Sequence, residues 1–141
     1  MIEYYIRFFT VSPLYSIIPL QAQMAQAGYK VTPAGTNQLE IAYSHDFSPF
    51  TVELTDSGNN MTKQEVADFL AAVQDSEDEG RETVLNLLTQ TQAIIAIGVP
   101  KDLGDSKSLD MIVDIISDMG EGLYHVEGEG FYQGNDLILQ L

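Results

Sequence analysis

Cysteine and tryptophan are both absent from the 141 residues, and Lys and Arg together number only 6 against 21 Asp and Glu. Without cysteine there is no disulfide framework, no thiolate-ligated zinc or iron–sulfur centre and no thiol nucleophile. The formal charge of −15 argues against a nucleic-acid binder, because affinity for phosphate backbones comes from the Lys and Arg that neutralise them. No apolar run approaches the roughly 20 residues needed to cross a bilayer. The opening Met1-Ile2-Glu3-Tyr4-Tyr5 has neither the basic start nor the small-residue cleavage site of a signal peptide. A cytoplasmic protein with no membrane contact is the expectation.

What is present is an ordinary apolar share, 45%, which excludes a disordered acidic tail. The length suits one domain that buries about 70% of the surface its unfolded chain exposes. Ile2 to Phe9 reads as a strand with apolar residues on both faces, hence central in a sheet. Ser16 can cap a helix with Ile17, Leu20, Met24 and Ala27 on its inner face and Gly28 as its stop. Strands are expected at Tyr29–Thr32, Leu39–Tyr43 and Phe50–Thr55. Thr62 with Glu65 has the capping-box spacing, and Ser76 with Glu79 repeats it, predicting two helices with a break between Asp75 and Gly80. A strand at Ala93–Val99, a helix at Ser108–Met119 and short strands at Leu123–Val126, Gly130–Tyr132 and Leu137–Gln140 complete the chain.

An offset of 92 residues superimposes Ile2 on Ile94 and Gly28 on Gly120. The same offset lays Ile17, Leu20, Met24 and Ala27 on Leu109, Ile112, Ile116 and Met119. The expected architecture is one α+β domain over 1–141 with a mixed, mostly antiparallel sheet. Residues 1–60 form a first β-α-β-β unit with an extra strand, 61–92 an inserted helical pair, and 93–141 a second β-α-β-β unit.

The charge is not spread evenly. Residues 1–60 carry 5 acids and 2 bases, 61–92 carry 7 and 2, and 93–141 carry 9 and 2. Asp110, Asp114 and Asp118 stand four apart on the last helix, a like-charge stripe that costs about 0.2–0.5 kcal/mol per pair. Asp118 also falls in the last turn, where the helix dipole disfavours an anion. The stripe is either a solvated face or a docking face whose repulsion a basic partner relieves. A second cluster, Asp75, Glu77, Asp78, Glu79 and Glu82, suits the first turn of a helix starting at Ser76 and lacks the alternation of a calcium loop.

His125, Glu127 and Glu129 would share one face of an extended strand, where a His with carboxylates can bind a divalent metal. The same run also reads as the polar outer face of a hairpin. His45-Asp46 could supply a distant ligand or base. There is no Gly-Lys-Ser/Thr phosphate loop, no Gly-x-Ser-x-Gly elbow and no His-Glu-x-x-His helix. Tyr4, Tyr5, Phe8 and Phe9 read as core or sheet residues.

The closing pattern Gly120-Glu121-Gly122-Leu123-Tyr124, Gly130-Phe131-Tyr132 and Asp136-Leu137-Ile138-Leu139 resembles the tail of some uncharacterised bacterial α+β proteins, over about 20 residues. That resemblance implies no activity. The tandem β-α-β-β arrangement is also similar in topology to the vicinal-oxygen-chelate enzymes. Those enzymes present His and Glu metal ligands from matching strands of both units, and this chain offers no paired set. The leading expectation is a non-enzymatic bacterial interaction protein, immunity-like or a regulatory adaptor. It would use Asp110, Asp114 and Asp118 against a basic protein partner, with no cofactor and with a homodimer compatible with its size. The alternative is a small metal-assisted or His/carboxylate hydrolase or isomerase working through His125 or His45.

Overall fold

Strand β1 (Ile2–Thr10) lies where its two-sided apolar pattern places it, near the middle of an eight-stranded sheet. The computed structural model describes residues 2–42, 48–102 and 107–141. After β1 come helix α1 (Ile18–Gln26), strands β2 (Lys30–Gly35), β3 (Gln38–Ala42) and β4 (Phe50–Asp56), and helices α2 (Asn60–Gln74) and α3 (Arg81–Thr89). Strand β5 (Ala93–Pro100), helix α4 (Lys107–Met119) and strands β6 (Gly122–Val126), β7 (Gly130–Gln133) and β8 (Asp136–Gln140) follow. The fold is α+β, and no helix among the described residues is long and apolar enough to cross a membrane.

The strand order is β2-β3-β4-β5-β1-β6-β7-β8. Every hydrogen-bonded pair among the described residues is antiparallel, where a mixed sheet was expected. The reason is topological. The connection from β5 through α4 to β6 joins two strands of the same direction, but β1 lies between them and pairs with both. The connection from β1 through α1 to β2 likewise skips β5, β4 and β3. The two stretches related by the 92-residue offset therefore share an order of elements but occupy different neighbourhoods in the sheet.

Helices cover both faces. On the first face α1 and α4 bury Leu20, Met24, Ile112 and Ile116 against Phe8, Ile41, Val52, Ile95 and Ile97. On the second face α2 and α3 bury Val73, Val84 and Leu88 against Phe9, Ile94, Leu123, Phe131 and Leu139. The helix ends follow local chemistry. Ser16 Oγ accepts the Ile18 N–H at 3.1 Å, Pro19 sits in the first turn of α1, and Gly28 closes that helix at φ 95°, a conformation that costs glycine little. The capping box expected at Thr62 is not formed, because α2 begins earlier: Asn59 accepts the Met61 N–H at 2.8 Å. Thr62 is buried inside the first turns of α2, and Glu65 turns to Arg7 instead. Ser76 accepts the Asp78 N–H within the loop, and α3 starts only at Arg81.

Candidate functional site

Helix α4 turns Ser108, Ile112, Ile115 and Ile116 inward, so the four-residue spacing sets Asp110, Asp114 and Asp118 together on its solvent side. All three are exposed, and among the described residues none is in an ion pair. Asp110 lies in the first turn, where the dipole favours it, and the last turn holds no basic residue to offset Asp118. On the same layer, the exposed residues of α1 are Ile18, Pro19, Ala22, Gln23, Ala25 and Gln26, none of them charged.

The ridge borders a groove of about 220 Å³ between α4 and the β7–β8 turn, with Asp114, Ser117, Glu121 and Asn135 on its rim. Tyr124 forms part of its floor. Its ring stacks on Phe8 with centroids 4.6 Å apart, and its hydroxyl lies 2.7 Å from Ser117 Oγ and donates to the Val113 carbonyl at 3.1 Å. Burial pushes the Tyr124 phenol up to about 12, against the pull of the Ser117 hydrogen bond and with a smaller push from Asp114 and Asp118. The phenol is therefore neutral at ordinary pH and unsuited to act as a base there.

The second acidic cluster is arranged differently from expectation. Only Glu82 stands in the first turn of α3, and the preceding acids lie in the connecting loop. One of them has a structural task. Asp78 accepts the Gly80 N–H at 2.9 Å and the Gln140 N–H at 3.4 Å. Gly80 presses so close to β8 that a Cβ there would stand 1.7 Å from the Ile138 carbonyl oxygen. The loop thus covers an edge strand whose bare N–H and C=O groups would otherwise invite another chain.

His125, Glu127 and Glu129 are not brought together. His125 faces the second core, 6% exposed, between Phe69 at 4.6 Å and Phe131 at 4.7 Å, and its Nδ1 is buried without a hydrogen-bond partner. Glu127 lies 3.8 Å from Arg7 on that same side. Glu129 accepts a 2.6 Å hydrogen bond from the Tyr132 hydroxyl, and Tyr132 packs on the first core, on the opposite face. Burial holds the His125 imidazole below its usual range and the adjacent Arg7 charge acts the same way, while a hydrogen bond with the Leu141 backbone and the Glu127 charge oppose them. Among the described residues no group of three or more His, Asp and Glu is placed to hold a metal ion. His45 and Asp46 lie outside the described residues, as do Tyr43, Gly104 and Asp105. Of the four aromatics of β1, Phe8 and Phe9 are core, Tyr4 packs at the margin, and Tyr5 is 37% exposed.

Arg7 is the residue that sequence reasoning passed over. Its guanidinium pairs with Glu65 of α2 and reaches Glu127, and lies 5.6 Å from the Tyr5 ring centroid and 5.7 Å from that of Phe69. The available signal was its isolation, as the lone cation in a strand of mostly apolar and aromatic residues. A comparison of the chain with protein-family models, curated proteins and solved structures found no match in any of the three.

Proposed function

We propose that this chain is a non-enzymatic acidic interaction protein, immunity-like or a regulatory adaptor, which binds a basic protein partner through the α4 ridge. The observation that carries this reading is the joint exposure of Asp110, Asp114 and Asp118 on one face, with no ion pair among the described residues to relieve their repulsion. The groove beside them, about 220 Å³, is smaller than the ~300–1,000 Å³ typical of small-molecule sites. Its size and its Asp114 and Glu121 rim suit a single long basic side chain from a partner. Binding of this kind is steered by long-range attraction, and its on-rate falls as salt screens the ridge.

The test uses the full chain and the D110N/D114N/D118N variant, each immobilised, with the captured protein then measured against both. Wild type should bind a basic protein whose Kd weakens steeply with salt, and the triple variant should lose most of that affinity and its salt dependence. A partner that binds both equally, with no salt dependence, overturns the reading.

A further inference from the structure

Apart from Tyr124, His125 is the one titratable side chain among the described residues that sits in a buried position. Two phenyl rings flank it. Phe69 closes over the ring from α2, Phe131 flanks it from β7, and α3 contributes Val84 and Leu88 to the same cluster. Arg7 stands opposite His125 in the β1–β6 register, Glu65 of α2 and Glu127 of β6 both turn to Arg7, and the Leu141 backbone meets the ring from the end of the chain. The charge directly opposite the ring is therefore a cation, and Glu65 and Glu127 are both engaged with it.

We propose that His125 makes the seating of α2 on the sheet sensitive to acid. As a neutral ring it packs like a phenyl group among Phe69 and Phe131. As a cation it would be enclosed beside Arg7, with only Glu127, shared with that arginine, and the Leu141 backbone in its favour. The quadrupoles of two phenyl rings return only a fraction of the hydration lost, because desolvating an ion costs several times a cation–π contact. The protonated ring is accommodated by lifting α2, which breaks the Arg7–Glu65 tie and bares the aromatic surface of Phe9, Phe69 and Phe131.

The sign follows from linkage. The open form binds one more proton than the closed form between the folded pKa of His125 and its unperturbed value, about 6.5. The opening constant of α2 should then rise by up to about tenfold for each pH unit below 6.5. Hydrogen exchange of α2 amides between pH 7.5 and 5.5, corrected for intrinsic exchange, reads this directly in the full chain and in His125→Gln and His125→Phe. The expected result is a rising opening constant for α2 in wild type, unchanged protection of α1 and α4, and no pH slope in α2 of either variant. Should the Phe variant fail to fold, His125→Gln and an NMR titration of the wild-type imidazole decide. An α2 slope that persists in the variants, or an imidazole that titrates at its ordinary value while α2 protection stays constant, overturns the proposal.

Discussion

The two faces of the sheet bury apolar residues in different ways. Under α1 and α4 the core is the larger one, mainly aliphatic with Phe8, Phe50 and Tyr124 among it, and runs from β3 through β6 with no charged side chain inside it. Under α2 and α3 it is smaller and also mostly aliphatic, but Phe9, Phe69 and Phe131 meet within it and Arg7 and His125 stand against those rings. The burial of the strands shows how far each cover extends. Strand β5 is buried throughout except for the half-buried Ala96, so it is covered on both sides over most of its length. Strands β3 and β4 alternate, with Leu39, Ile41, Val52 and Leu54 buried but Glu40 and Glu53 exposed, so they are covered on one side only. The larger and more continuous layer gives one face a rigid base for α4. The other face has a partial cover, held by rings and one ion-paired arginine, and stability there is local.

The largest effects should come from core truncations that tell these faces apart. Ile116→Ala on the first face and Phe131→Ala on the second each remove a fully buried side chain, at about 2–5 and 3–5 kcal/mol respectively. Against a total stability of roughly 5–15 kcal/mol both are severe. They should differ in kind. Phe131→Ala strips the contacts to Phe9, Phe69 and His125, and native-state hydrogen exchange should show α2 and α3 opening before α1 and α4. Ile116→Ala should lower protection everywhere together. If the two variants gave the same pattern, the faces would be one cooperative unit and the contrast would fail.

An intermediate effect lies on the first face, at Tyr124. A phenol with a raised pKa stabilises the fold while it is protonated. Its contribution is complete below the unfolded value of 10.0 and is lost as pH rises through the folded value of about 12. The two-unit difference corresponds to roughly 2–3 kcal/mol when fully expressed. Urea midpoints taken from pH 9 to 11.5 should fall for wild type, and fall less for Tyr124→Phe. Tyr4 is raised as well, by burial and then by Glu129 and Glu3, so some slope will remain in the variant. Parallel curves would show that Tyr124 is not the source.

How much of this was legible beforehand depends on how local each determinant is. The central position of β1, the break between α2 and α3 and the inner faces of α1 and α4 were legible, except that Ala27, expected on the inner face of α1, is exposed at its C-terminal end; each rests on periodicity within a short window. The exposure of the aspartate stripe followed from the same periodicity. Strand order was not legible, since the insertion of β1 between β5 and β6 pairs residues more than eighty positions apart. The side on which His125 lies was not legible either. A period of two separates the faces of a strand but does not say which one a distant helix will cover. Arg7 escaped notice because Glu65 and Glu127 approach it only in the folded chain. Thr62 misled because the capping-box pattern occurs one turn inside a helix that Asn59 already caps.

The smallest expected effects are at the surface, where the two acidic groups should respond with opposite signs. Asp78 bonds two backbone N–H groups, from Gly80 and Gln140, so Asp78→Ala should lose about 1 kcal/mol and loosen β8 at the sheet edge. The α4 aspartates make no such bonds among the described residues, and their neutralisation should gain stability. Asp114→Asn relieves repulsion from both Asp110 and Asp118, at about 0.2–0.5 kcal/mol per pair. Asp118→Asn relieves one pair and also removes an anion from the negative end of the helix. Asp110→Asn relieves one pair but forfeits a favourable place in the first turn, so it should be nearly neutral. Urea midpoints at low salt should place both Asp114→Asn and Asp118→Asn above Asp110→Asn, and the gains should shrink as salt screens the ridge. If none of the three gained stability at low salt, the ridge would hold no repulsion for a basic partner to relieve, and its affinity would have to come from contacts other than charge.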